Sequence, residues 1–488
     1  MRRPRPSLSF RDSSVFAGVA RKEVGSLDLV AHSVAVLVPS LTALGSGLAF
    51  PGLIGPGWWA STLLGFGLVG LFVVTFNQFS TRFRSAGTLY TFVAKGLGPL
   101  PALGVAGALV IGYAAMIGFG LSDAAGRADS ALTSSGIDGV AGPGRELVLL
   151  ILGVATCLYA INRGIAWSTR AALAAEIASF LVLGIVLFTW LERYGAPSWQ
   201  ALSLEGASPG RILGGAAFIV TLTLAFESSA SLGLEARLPQ VEVPVALRSS
   251  GMLAATLFGL ANVVATSRPA DAPSIWSWRW FAPGAERSIA DGLVLVVLAW
   301  SLVTLAVCVW CALARLLFSL AREGVLPSSL GRVNGRGVPT AAALAVTPLA
   351  IMPPLVAIVL GPGAGAFSWQ LKESTAVVIC LGYALVAVSL VRFLRLIDEV
   401  RWWPVLAAVI AGGGAAAVAV NEILTEAREG RWLGLGMLAA SGAIGVALHL
   451  GTRRHFDAED RYVGMHDEAL ASSVLLPPPG GAGEHVDA

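Results

Sequence analysis

Charge is scarce in this sequence: Lys, Arg, Asp and Glu together make up 13% of its 488 residues, against about 25% in a soluble globular chain. Histidine is scarcer still, with five residues (His32, His449, His455, His466, His485), four of them at or beyond the last apolar stretch. No H-E-x-x-H and no clustered His/Asp set appears, so neither metal ligands nor a nucleophile with its base is on offer. The expectation is a protein with no catalytic residues, no metal and no cofactor. Cysteine is limited to Cys157, Cys308, Cys311 and Cys380, all inside apolar runs. The C-x-x-C spacing at 308–311 has no second pair beside it and reads as packing, and no disulfide framework is implied. A net charge of +3 is too small to favour a nucleic-acid partner. No secretory leader is expected either. Met1 to Lys22 is polar and Arg-rich, and the apolar run that starts near Leu27 is too long for a signal-peptide core.

What is abundant is apolar residues, 55% of the chain. Runs long enough to cross a bilayer, about 20 residues, recur at 27–50, 58–80, 99–121, 146–162, 170–191, 212–234, 245–266, 290–320, 340–361, 374–396, 402–421 and 432–451. The fold class expected is an all-α polytopic membrane protein with about twelve spans, whose partners are the lipid bilayer and a small solute. Basic residues collect in alternate connections: Arg2, Arg3, Arg5, Arg11, Arg21 and Lys22; Arg82, Arg84 and Lys95; Arg163 and Arg170; Arg237 and Arg248; Arg315, Arg322, Arg332 and Arg336; Arg392, Arg395 and Arg401; Arg453 and Arg454. The intervening loops mix signs, with Asp123, Asp129, Asp138 and Arg145 in one and Asp271, Arg279, Glu286 and Arg287 in another. Both tails are therefore expected in the cytoplasm of a plasma-membrane protein. The division is a tail over 1–26, a membrane domain over 27–451, and a polar tail over 452–488 whose Pro- and Gly-rich end, 477–483, predicts disorder.

Interruptions in the apolar runs mark where chemistry can sit, because unpaired backbone survives in a membrane only when it lines a cavity or packs in protein. The first run contains Val38-Pro39-Ser40-Leu41-Thr42 and then Gly45-Ser46-Gly47. Pro39 removes a donor and frees carbonyls near mid-span, as a kink or as part of a site. The sixth run crowds Thr221, Thr223, Glu227, Ser228, Ser229 and Ser231 into one segment. An intramembrane acid is a site candidate by default, although Glu227 could equally cap a broken helix. Two interruptions five helices apart are the pattern of transporters built from two related halves.

Several blocks then resemble the amino acid–polyamine–organocation permeases. They are Gln78 to Tyr90 (QFSTRFRSAGTLY); Ile161-Asn162-Arg163-Gly164 with Ser168 and Arg170; Phe226-Glu227 with Glu235-Ala236-Arg237-Leu238-Pro239 and Val243-Pro244-Val245-Ala246; and Arg315-Leu316-Leu317-Phe318, Ala321-Arg322-Glu323-Gly324 and Leu326-Pro327. The resemblance implies a five-plus-five inverted repeat with two further helices. It also implies a secondary transporter of amino acids or related amines working by alternating access. Ligand-holding positions carried over from that family are Val38, Pro39, Ser40 and Leu41, facing Thr221, Leu222, Thr223, Leu224, Ala225 and Phe226, with Phe226 either an aromatic gate or a packing residue. The family's small G-S/T-G at the first break is replaced by Pro39-Ser40-Leu41, where Leu41 crowds a carboxylate site, and Ala225 stands where Gly is usual. A solute sensor that kept the fold is the alternative those departures suggest. Some proton-coupled relatives carry a Lys where Ser179 stands here, and Glu176 lies one turn earlier on the same face. Protons or exchange are therefore expected to drive transport, with Glu176 as the first candidate carrier and Glu227 and His32 behind it. The stretch Val309 to Ala314 offers no hydroxyl to a sodium ion, and Ser301 and Thr304 lie two or more turns away.

Overall fold

Backbone groups in hydrocarbon have no water to bond, so a chain this apolar resolves into helices. The computed structural model describes residues 23–83, 88–135, 143–268, 289–360 and 364–455, together with Phe16, Val19, Val463 and Gly464. Among these, the only β pairing is an isolated bridge between Val24 and Ala236. The basic cluster of the N-terminal tail, Arg84, Asp138, Asp271, Arg279, Glu286, Arg287 and the 477–483 stretch lie outside the described residues.

Among the described residues, eleven helices are long and apolar enough to cross a membrane. We number the helices α1 (Ser26–Ile54), α2 (Trp58–Ser80), α3 (Leu89–Leu97, short), α4 (Pro99–Ser134), α5 (Pro143–Asn162), α6 (Ile165–Tyr194), α7 (Pro209–Leu234), α8 (Pro239–Ala265), α9 (Ile289–Arg322), α10 (Thr340–Leu360), α11 (Ala364–Leu396), α12 (Trp402–Arg428) and α13 (Leu433–His455). α10 contains Pro348, Pro353 and Pro354, and its described apolar stretch, Thr340–Val356, is shorter than the other spans. Several helices outrun their apolar runs. α4 has 36 residues, about 54 Å at 1.5 Å per residue, against about 30 Å of hydrocarbon. α11 begins ten residues before the run at 374–396, and so takes in Lys372.

α4 is the hub: it packs against α9, α11, α13, α10, α5 and α3. Its Gly- and Ala-rich surface allows this, since helices in lipid associate by close backbone approach rather than by hydrophobic exclusion. At Gly107, a Cβ would sit 2.3 Å from the Ser441 carbonyl oxygen of α13, and at Gly445 one would sit 2.8 Å from the Gly104 Cα. α1 packs on α6, α7, α8 and α9, while α2 packs on α7, α8 and α12. The interrupted helices are thus enclosed by their neighbours.

Gly107→Leu is expected to force α13 off α4, at about 1–3 kcal/mol for overpacking, with a lower unfolding midpoint in detergent. Gly442→Leu is the control, because a Cβ there meets nothing within 4 Å. Equal midpoints for the two variants would refute the close-approach account.

Candidate substrate site at two broken helices

The break in α1 is a backbone event at Val38. Its φ of 42° and ψ of 56° are left-handed, a conformation costing a β-branched residue about 1–3 kcal/mol. Pro39 opens the next helical turn, where its fixed φ fits and its missing N–H is not needed. The freed groups find local partners: the Thr42 N–H donates to the Val38 carbonyl at 2.9 Å, and the Thr42 hydroxyl donates to the Leu37 carbonyl at 3.1 Å. The irregularity continues through a π-turn, Ala43–Gly47, which takes in Gly45-Ser46-Gly47. The irregular stretch thus runs through both groups named in the sequence, Val38 to Thr42 and Gly45-Ser46-Gly47, and beyond the ligand positions Val38 to Leu41 that the resemblance implies.

In α7 the regular helix stops at Leu222, Ala225 takes a φ of 66°, and Phe226–Leu234 continues as a 3-10 helix. The two threonines turn their hydroxyls back on the helix, Thr221 to the Ala217 carbonyl at 3.2 Å and Thr223 to the Val220 carbonyl at 3.0 Å. Glu227 is fully occupied. Tyr113 of α4 donates to its Oε1 at 2.8 Å, and Tyr383 of α11 donates to its Oε2. The Tyr383 oxygen also accepts the Ala225 N–H at 3.3 Å. The acid therefore serves the break indirectly, through a tyrosine that holds the stranded donor.

The two broken helices are tied together beside their interruptions. Ser33 of α1 donates to the Phe226 carbonyl at 2.9 Å and lies 2.9 Å from the Ser250 hydroxyl of α8. His32, also buried, has its Nε2 3.5 Å from the Ser228 hydroxyl. The ring of Phe226 is buried against Phe76 (5.9 Å between centroids) and Tyr383 (6.3 Å). All ten candidate positions, Val38–Leu41 and Thr221–Phe226, are buried. Val38, Leu41, Leu224, Ala225 and Phe226 share one apolar cluster, while Leu222 belongs to a second one with Phe50, Trp58 and Phe258.

A polar thread leads from the first break into α6 and α9. The Ser40 hydroxyl is 2.8 Å from that of Ser179, which is 3.2 Å from the Glu176 carbonyl oxygen. Ser301 of α9 donates to Glu176 Oε1 at 2.6 Å. Glu176 Oε2 is buried with no hydrogen-bond partner among the described residues. Arg170, nearly two turns earlier on α6, is exposed and makes no ion pair with Glu176, which accepts from Ser301 instead.

Arg315, counted with the basic connections, is no loop cation. It lies inside α9, buried, with its guanidinium 2.6 Å from Glu235 and bonded to the Cys311 carbonyl at 3.0 Å. Lys372, not singled out from the sequence, is buried near the start of α11 with its ammonium 4.9 Å from the Phe119 ring centre and 5.6 Å from that of Trp369. An isolated Lys at the edge of an apolar run, with Trp three residues before it, was the signal available. Tyr113 and Tyr383 gave none, because tyrosines in apolar runs look like ordinary packing. Cys308 and Cys311 are buried free thiols, as are the other two cysteines.

The profile of the amino acid permease family matches residues 26–427. No curated protein sequence matches the chain significantly. Three solved structures share the fold at low identity. A manganese transporter mutant (H236A) from Eremococcus coleocola superposes with a TM-score of 0.52 at 11% identity, covering 88% of this chain and 94% of that one. A Na+-coupled sialic acid symporter, substrate-bound and outward-open, gives 0.51 at 13%, covering 86% and 92%. MhsT in complex with L-phenylalanine gives 0.55 at 14%, covering 83% and 99%.

Tyr383→Phe strands both Glu227 Oε2 and the Ala225 N–H. The expected cost is about 1–3 kcal/mol, above the ~0.6 kcal/mol of an average hydrogen bond between membrane helices. Thermal unfolding in detergent reads it, and an unchanged midpoint would show that this hydroxyl does not hold the break.

Proposed function

The chain belongs to the amino acid permease family, and from that premise we propose that it carries an amino acid or a related small amine between the interruptions of α1 and α7. It is a multi-pass membrane transporter and not an enzyme. The observation that carries the site assignment is the pair of left-handed interruptions, Val38 and Ala225, in two helices joined by the Ser33–Phe226 bond. Interrupted helices give a solute backbone groups to bind where regular helices give none. The burial of all ten positions suits an occluded stage of alternating access. Leu41 narrows the first break, which favours a small or slender solute.

For coupling we assign the proton, or exchange, with Glu176 as carrier. Ionised, its carboxylate is held by a single hydroxyl and has no counter-cation among the described residues, whereas protonated it is neutral. The Ser40–Ser179 contact supplies a mechanical link between this group and the first break. Glu227 ranks below it, because two tyrosine hydroxyls already fill both oxygens. His32 ranks last, with one contact at 3.5 Å. Likeness to a Na+-coupled symporter at 13% identity is a likeness of fold alone.

Contacts among the connections support the cytoplasmic placement of both tails. Arg82 pairs with Glu399 at 2.7 Å, Arg336 donates to the Asn162 carbonyl at 3.0 Å, the Val24 carbonyl accepts from Arg237 N, and Gly464 N donates to Glu323 at 3.1 Å. These segments are the ones whose Lys and Arg content marks them as cytoplasmic. Trp58 and Ala201 meet at the opposite end. This sorting supports α10 as a twelfth span, and the five-plus-five inverted repeat is proposed on the family resemblance.

The functional test is uptake into proteoliposomes under an imposed pH gradient. Ser40→Trp and Thr223→Trp should cut uptake by about tenfold or more, roughly 1.4 kcal/mol, while the protein stays monodisperse. Wild-type uptake in both would remove the site from between the breaks. Glu176→Gln should abolish the dependence on the pH gradient. Retention of that dependence excludes Glu176, and wild-type uptake that needs sodium and ignores pH defeats the coupling scheme.

Topology is tested separately, with a cysteine at Ser7 and a membrane-impermeant thiol reagent. No labelling is expected in intact cells and full labelling in inverted vesicles, and the reverse pattern would overturn the orientation.

A further inference from the structure

α11 and α12 leave a cavity of about 560 Å³ between them, which Leu97 also lines. Its wall on α11 is Ala384, Ala387, Val388 and Val391, one helical face, and it ends in Arg392 and Arg395. From α12 it takes Ala408, Val409, Gly412, Gly413 and Ala416. Gly412 is where the helices touch, since a Cβ there would meet the Ala387 Cβ at 3.0 Å. Gly413, the next residue, faces open space, with nothing within 4 Å of an added Cβ. The groove opens outward: Val388 is 55% exposed and Val409 is 61% exposed.

The dimensions and charge specify an occupant. From Ala384 to Arg395 the face rises about 16 Å at 1.5 Å per residue, close to the ~15 Å of hydrocarbon in one leaflet. The walls are wholly apolar until the last turn, where two exposed guanidiniums face outward, neither of them ion-paired among the described residues. The neighbouring acids do not cancel them. Glu399 is taken by Arg82 at 2.7 Å, and Asp398 is exposed and does not line the groove. Trp402 and Trp403, both exposed, open α12 on the other side of the turn, and such aromatic rings favour headgroup depth. A slot lined by carbon for one leaflet's depth and ended by two cations fits an amphiphile with an anionic head.

We propose that this groove is a binding site for one anionic phospholipid of the leaflet that holds the α11–α12 turn, with an acyl chain along Gly413 and the headgroup phosphate on Arg392 and Arg395. Such a lipid braces α12 against α11, the helix that supplies Tyr383 to the second break. The site is independent of which solute is carried.

The test is native mass spectrometry of the purified full chain equilibrated with equal amounts of phosphatidylglycerol and phosphatidylcholine of the same chain length. Wild type should retain one phosphatidylglycerol with a preference on the order of tenfold. Arg392→Gln/Arg395→Gln should bring the preference to near one. Gly413→Leu, which fills open space and leaves the helix contact intact, should lose both lipids. The proposal fails if the double variant keeps the wild-type preference, if Gly413→Leu retains lipid unchanged, or if wild type instead forms a dimer that Gly413→Leu dissociates, which would make a second copy the occupant. Should the arginine variant not fold, the Gly413→Leu result and the wild-type preference decide by themselves.

Discussion

The carboxylate of Glu227 and the two tyrosine hydroxyls that reach it set the form of the membrane core. A helix interrupted in hydrocarbon exposes donors that cost several kcal/mol each if left alone. α7 is interrupted at Ala225, and its exposed N–H is met by Tyr383, which is itself oriented by Glu227. Tyr113 brings α4 into the same bond. One acidic side chain therefore fixes the second half of α7 against the hub helix and against α11. The Phe226 ring then packs against Phe76 and Tyr383, and the Phe226 carbonyl accepts Ser33 from α1. The geometry of both breaks depends on this network more than on the local preferences of the residues in them, two of which, Val38 and Ala225, occupy backbone conformations that suit glycine.

That dependence explains what the sequence disclosed and what it concealed. Apolar runs announce helices because length and hydropathy are local properties, and the positions of α1, α2, α9 and α12 follow their runs closely. The breaks were legible for the same reason: Pro39 and the cluster of Thr and Ser around Glu227 are local departures from an apolar pattern. The partners were not legible. Nothing in the neighbourhood of Tyr113 or Tyr383 distinguishes them from tyrosines that merely pack, and their meeting at Glu227 spans 114 and 156 residues. Arg315 was misread for a related cause. Counting basic residues assigns side by number, but a cation paired with Glu235 inside the helix bundle carries no topological information.

The polar thread from Ser40 through Ser179 to Glu176 and Ser301 differs in kind from the Glu227 network. The Glu227 network is closed, with every oxygen taken, and closed networks of this sort rigidify. The Glu176 thread is open, with Oε2 left unpartnered and its members on three different helices, α1, α6 and α9. A carboxylic acid and a carboxylate place different demands on Ser301, because only the acid can donate, while Ser179 donates to the Glu176 backbone carbonyl. A change of protonation therefore reorients the Ser301 hydroxyl on α9, and the Glu176 backbone carries the contact on to Ser179 and Ser40. In the coupling proposed above, the proton would meet the Glu176 end of this thread and the solute the Ser40 end.

The end of the bundle that carries the basic connections is closed by interactions of another type. Arg315 and Glu235 are buried together, and such pairs contribute little net stability, because desolvation offsets their attraction, yet removing one partner is costly. That asymmetry suits an element that must separate as a unit. Moving both charges into water together regains their hydration, whereas moving one alone strands the other. Val24 pairs with the backbone beside Glu235, and Phe16 packs on Phe318 one turn beyond Arg315. The start of the chain is thus fastened to both partners of the pair. Separating Arg315 from Glu235 therefore involves the start of the chain, the end of α7 and the end of α9 together, which makes this contact a cooperative one.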